Sequence, residues 1–243
     1  MKYCILLLTL VLAGCHRSTY PIDKAAAHAL TSIEQFHGSA AFSSLSRISY
    51  TKRFVLYQAD GAVERSVTQH HKYHLNENHY EIRSITGQDT TLLLAQKGAL
   101  SKHDAQGNKL PIPTAKLQKE LNTSLYVYRL PHNLRDPGVQ LTHLGKEQID
   151  GQQAVVLLAQ YNPLEHDNHS TGDQWFFMAT TEGEIIANKI YTADHKSWVD
   201  NLSWHDMGGW RFYHHRKSYR LDEHDQKTYL RAEYWYENVK IVR

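Results

Sequence analysis

Cysteine is almost missing from this chain. Among 243 residues only Cys4 and Cys15 are cysteine, and both fall in the first fifteen positions. The body that follows therefore holds no disulfide, no thiol nucleophile and no thiolate metal site, and must rely on an apolar core. Long apolar runs are also lacking: nothing after residue 15 approaches the ~20 residues that a membrane-spanning helix needs. Charge of one sign is not in excess. The 27 Lys+Arg and 25 Asp+Glu leave a net charge of +2, which excludes nucleic-acid binding driven by charge. The sequence has no G-x-S-x-G elbow, no P-loop, no G-x-G-x-x-G and no HExxH frame. No catalytic residue and no cofactor are expected, and no repeat of 20–50 residues organises the chain.

What is present is a globular composition, 41% hydrophobic and 21% charged, long enough to bury a sizeable core. The N-terminus carries Lys2, then an apolar stretch from Ile5 to Leu12, then Leu12-Ala13-Gly14-Cys15. A charged start, a short apolar middle and small residues before a cut read as a secretory signal peptide. The last four residues resemble the lipobox of bacterial lipoproteins. That resemblance implies removal of residues 1–14, a diacylglycerol thioether on Cys15 and a mature chain that starts there. Residues 15–21 would form a lipidated tether to the membrane, and more than one acyl chain makes such an anchor firm. His16 stands where Asp would retain a lipoprotein in the inner membrane. The resemblance thus implies the cell envelope of a Gram-negative bacterium, at the outer membrane and facing the periplasm.

Residues 22–243 are expected to form a single β domain. Ile22 to His37 reads as a helix, with Ile22, Ala26, Ala29, Leu30 and Ile33 on one face, Asp23 at its start and Gly38 as its stop. Strand alternation then begins. Ile48, Tyr50, Phe54 and Leu56 share one face of Ser46–Gln58, and Asp60-Gly61 turns the chain into Val63–Leu75. Tyr80–Thr86 and Thr90–Gln96 continue the meander, with turns at Gly87, Gly98 and Gln106-Gly107-Asn108. Thr114–Arg129 carries a weaker helical stripe of Leu117, Leu121, Leu125 and Tyr128, ended by Pro131. A second meander follows: Val139–Ile149, Gln153–Tyr161, Gln174–Thr180, Ile185–Thr192, Trp198–Trp204, Trp210–Leu221 and Thr228–Val242, with Asp150-Gly151 and Glu182-Gly183 as hairpin turns. The fold class is mainly β (α+β): one large curled antiparallel sheet, with an N-terminal helix and a short central helical segment on its concave side.

Several short stretches carry a closer likeness. They are Ile22-Asp23-Lys24-Ala25 leading to His37-Gly38, Tyr128-Arg129-Leu130-Pro131, Leu134-Arg135-Asp136-Pro137-Gly138, and Leu144-Gly145 before Asp150-Gly151. On these the chain resembles an uncharacterised family of bacterial lipoproteins with a LolA/LolB-like fold, an open half-barrel with helices in its hollow. The resemblance implies a monomeric carrier of a hydrophobic ligand, a lipid or acyl group. It brings no catalytic residues.

Seventeen histidines stand out. His70 and His71 point to opposite faces of a strand, and His74 lies too far along to share a metal with His70. The loop residues His166 and His169, beside Glu165 and Asp167, are the candidate metal ligands and the basis of a metal-assisted hydrolase reading. The remaining clusters read as polar residues on a wet sheet face. Aromatics crowd the second meander. Trp175, Tyr191, Trp210, Phe212 and Trp235 are the candidate ligand-binding residues, either filling the core or lining an apolar groove. An envelope scaffold with a filled core is the alternative.

Overall fold

The computed structural model describes residues 22–162 and 173–243. Helix α1 (Lys24–His37) starts at Asp23, whose carboxylate accepts the backbone N–H groups of Ala25 and Ala26 at 2.7 and 3.0 Å. It stops at Gly38, in the left-handed region at φ 76°, whose N–H turns back to the helix carbonyls. Ala26, Leu30, Ile33 and His37 form its buried face. The short helix α2 (Ser39–Ser43) follows directly.

Five strands then form the first meander: β1 (Arg47–Tyr57), β2 (Val63–His74), β3 (His79–Thr86), β4 (Asp89–Gln96) and β5 (Ala99–His103). Helix α3 (Thr114–Arg129) leads to the second: β6 (Val139–Ile149), β7 (Gln152–Tyr161), β8 (Gln174–Ala179), β9 (Ile185–Tyr191), β10 (Lys196–Asp206), β11 (Arg211–Leu221) and β12 (Lys227–Val242). Among the described residues all twelve strands belong to one antiparallel sheet, in the order β5-β4-β3-β2-β1-β12-β11-β10-β9-β8-β7-β6. The first meander runs outward from the centre to the edge strand β5. The second starts at the opposite edge, β6, and works back until β12 pairs with β1. The edges do not meet, so the sheet is an open half-barrel. A twisted sheet of this many strands curls, and its hollow side is where helices can bury their apolar faces.

The core lies in that hollow. Leu30 and Ile33 of α1 and Leu117, Leu121, Tyr126 and Tyr128 of α3 pack with Ile48, Tyr73, Ile82, Leu93, Phe177, Trp210 and Phe212 from the sheet. α3 buries Tyr126 as well as the Leu117-Leu121-Tyr128 stripe, because it has sheet on both flanks; Leu125 is only partly buried. Two close approaches seat α1. A Cβ on Gly38 would lie 1.7 Å from the Gly209 carbonyl oxygen, and one on Gly183 would lie 2.2 Å from that of Ser32. A smaller apolar cluster, Ala154, Val156, Met178 and Ala187, occupies the opposite face of β7–β9.

Candidate ligand cavity

Every second residue of β1 faces the hollow, and the sequence grades along it. Ile48 and Tyr50 are buried in the core, whereas Lys52, Phe54 and Leu56 are only partly covered. Neighbouring strands follow in register: Tyr50 lies beside His71, Lys52 beside Gln69 and Phe54 beside Val67, with Ile82, Ser84 and Thr86 next on β3. One half of the hollow is therefore solid and aromatic. The other is left open beside α3 as a cavity of ≈ 550 Å³.

Phe54, Val67, Gln69, Ser84 and Thr91 form its sheet wall. Lys102 of β5 and Glu120 of α3 close the side, paired at 2.8 and 2.9 Å. Arg65, Thr86 and Asp89 stand at the rim. The volume lies within the ~300–1,000 Å³ typical of small-molecule sites, and the lining mixes apolar with polar groups.

Below the cavity lies a hydrogen-bonded aromatic layer. The His71 ring stacks on Tyr50 with centroids 4.5 Å apart. Its Nδ1 meets the Tyr73 hydroxyl at 2.7 Å and its Nε2 meets Gln69 Oε1 at 3.3 Å. Burial, then the nearby Lys52 charge, pulls the His71 imidazole well below the ordinary range, so it is neutral. Burial likewise pushes the Tyr50, Tyr73 and Tyr236 phenols up, and these groups stay uncharged. His71 thus departs from the wet-face expectation: strand alternation put it opposite His70, but that face is the inner one.

The five aromatic candidates fall into two groups. Trp175 of β8 lies on the concave side, edge-on to Tyr126 of α3 at 5.0 Å. Trp210, fully buried, and Phe212, nearly so, pack against each other at 5.2 Å inside the closed core. Tyr191 and Trp235 sit on the convex face. The Tyr191 hydroxyl donates to Asp225 and its ring meets Phe176, while Trp235 stacks on His215 at 5.4 Å under the Arg53 guanidinium at 3.9 Å. None of the five lines the open cavity. His166, His169 and Cys15 lie outside the described residues. Among the described residues no group of three His, Cys, Asp or Glu side chains stands close enough to hold a metal ion.

Sequence reasoning missed Phe54, Val67 and Gln69 as cavity residues, and Lys52 as their inward-facing neighbour. A signal for Lys52 was present: it occupies the inward phase of Ile48, Tyr50, Phe54 and Leu56, a cation on an otherwise apolar face.

No protein-family model and no curated protein matches the sequence. Solved structures do match in fold. A DUF1329 family protein from Desulfovibrio piger superposes with a TM-score of 0.54 at 9% identity, covering 89% of this chain and 92% of that one. A LolA superfamily protein from Nitrosomonas europaea gives 0.51 at 9% identity, covering 90% and 94%. A domain from Vibrio parahaemolyticus, named for outer membrane lipoprotein sorting, gives 0.50 at 11% identity, covering 89% and 90%. The chain is an open antiparallel half-barrel of LolA-like fold, similar to these proteins and to an uncharacterised DUF family among them.

Proposed function

We propose that this protein is an envelope lipoprotein that carries a hydrophobic ligand, a lipid or acyl group, in the hollow of its half-barrel and does no bond chemistry. Cys15 would hold it to the outer membrane through its acyl chains, with residues 22–243 as a monomeric domain in the periplasm. The observation that supports the reading most is the ≈ 550 Å³ cavity left between α3 and the concave face of β1–β4. Phe54 and Val67 give that cleft an apolar strip against which a chain could lie, with polar groups around it. The named role of the Vibrio parahaemolyticus domain in lipoprotein sorting fits the same picture.

The test is to purify the protein from membranes, extract it with organic solvent and weigh the extract. A lipid bound at about one per chain, and lost on delipidation, is the expected result. Absence of bound lipid together with no uptake of acyl probes would refute the reading.

A second reading, an interaction protein with a packed core, draws on the buried Trp210, Phe212, Tyr213 and Tyr236, which fill the other half of the hollow. It predicts that probes leave the cavity empty while the sheet surface captures a protein partner.

A further inference from the structure

Lys52 lies in the middle of β1, on the concave face between Tyr50 and Phe54. Its Nζ sits 5.2 Å from the centroid of the Phe54 ring, 5.4 Å from that of Tyr234 and 5.9 Å from that of Tyr236. Among the described residues the ammonium makes no ion pair and no hydrogen bond; the three rings are its company. Phe54 and Gln69, which flank Lys52 along and across the β1–β2 ladder, both line the cavity. Lys52 is not itself a lining residue; it borders the lining at Phe54 and Gln69, with its Nζ over Phe54 and the β12 rings.

A second cation is close by. Arg216 of β11, beside Tyr234 in register, is 6% exposed. Its Nε donates to Asn201 Oδ1 at 2.8 Å, its Nη2 approaches Asn188 Oδ1 at 3.4 Å, and its plane lies 4.2 Å from the Tyr213 centroid. Those partners are neutral. Burial disfavours the charged Lys52 ammonium, the neighbouring Tyr234 opposes that, and the charge of Arg216 adds to the burial effect. Burial also pushes the Tyr213 and Tyr234 phenols up, so these tyrosines, Tyr236 and His71 around the pair are uncharged. The remaining cavity charges are elsewhere: Lys102 and Glu120 neutralise each other, and Arg65 and Asp89 lie at the rim.

Arg216 is buried and Lys52 partly covered; charges withdrawn from water in proteins are as a rule paired, and a cation over aromatic rings recovers only part of its lost hydration. Two inward cations with no carboxylate make an uncompensated positive site bordering an open cavity. An incoming anion would restore the missing pair with a short, charge-assisted hydrogen bond.

We infer that the cavity takes an amphiphile with an oxyanion head, a carboxylate or a phosphate, which docks on the Lys52 ammonium while its apolar chain lies along Phe54 and Val67. This rests on the ligand-carrying reading above and adds the head-group chemistry. The oxyanion is common to a fatty acid and a lysophospholipid, and the probes below separate them.

The full-length protein is titrated with palmitate, with 1-hexadecanol and with a C16 lysophosphatidic acid, below their critical micelle concentrations. At least one acid should bind about tenfold or more tighter than the alcohol, and whichever acid binds tighter identifies the head. Lys52→Met should remove the preference while leaving alcohol binding in place, and Lys52→Arg should keep it. Equal affinities of acid and alcohol for the unaltered protein would overturn the head-group site and leave the carrier reading standing. Binding of no probe at all would overturn both. Because the preference is read first on the unaltered chain, a variant that fails to fold does not decide the outcome.

Discussion

Adding one methyl group at residue 38 should cost far more than adding the same group at residue 61. Both glycines have positive φ, 76° and 86°. Alanine in that region costs about 1 kcal/mol at either site. Around Gly61, in the β1–β2 turn, an added Cβ meets nothing within 4 Å. At Gly38 it meets backbone: the Gly209 oxygen at 1.7 Å, the Gly209 carbonyl carbon at 2.7 Å and the Trp210 Cα at 3.0 Å. None of these can swing aside like a side-chain tip. The end of α1 or the β10–β11 turn must shift, and both border the closed core around Trp210. Forced repacking of this kind adds roughly 1–3 kcal/mol. Gly38→Ala should therefore lose about 2–4 kcal/mol and Gly61→Ala about 1 kcal/mol. Urea unfolding followed by far-ultraviolet circular dichroism, comparing midpoints at a shared slope, measures both. Equal losses for the two variants would refute the close seating of α1 on the sheet.

Two further outcomes follow from titrating groups. The His37 ring is fully buried beside Trp204 at 4.5 Å, and neither ring nitrogen has a hydrogen-bond partner among the described residues. Burial, then the neighbouring His132, holds it down to about 3 from an ordinary 6.5. The unfolded chain therefore takes up a proton below pH 6.5 that the folded chain refuses. Its contribution to stability is full above pH 6.5 and falls toward pH 3, with a slope of up to about 1.4 kcal/mol per pH unit. His37→Leu should flatten this part of the urea midpoint's pH profile while changing little at pH 7; an unchanged slope would contradict the assignment. Asp23 has the same sign in a lower window. Its carboxyl is held below the ordinary 3.8, first by the His143 backbone N–H and then by that of Ala26. Its support is present above pH 3.8 and lost as pH falls further. Asp23→Ala should lower the melting temperature and, by baring the His143 N–H on the edge strand β6, raise self-association measured by light scattering.

Much of the fold was legible because local chemistry marks it. Asp23 and Gly38 delimit α1, Asp60-Gly61 and Asp150-Gly151 turn their hairpins, and Thr114–Arg129 is helical over the range its apolar spacing indicated. The short strand β5 was hidden, since five residues with turns on both sides offer little periodicity. The inward face of β12 was unreadable for another reason. Its ladder with β1 slips between Ser49 and Thr51, near Asn238 at φ 54°, and its ladder with β11 slips near Tyr219. Each slip changes which residues face inward, so counting by two along Thr228–Val242 gives no single inner face. That is why Trp235 was grouped with Trp175 although the two lie on opposite faces. The candidate cavity was harder still. Its residues come from five strands and α3, and only the register brings Lys52, Gln69 and Ser84 into one row.

The central claim is that a ligand sits on the concave face of β1, and adjacent residues of that strand can test it. Phe54 lines the cavity, while Val55 points to the other side of the sheet. Placing the photoreactive p-benzoylphenylalanine at 54 or at 55 in vivo, irradiating and weighing the purified protein reads which face touches an acyl chain. The account predicts a lipid adduct from position 54 and none from position 55. Adducts at equal yield from both, or from position 55 alone, would contradict it.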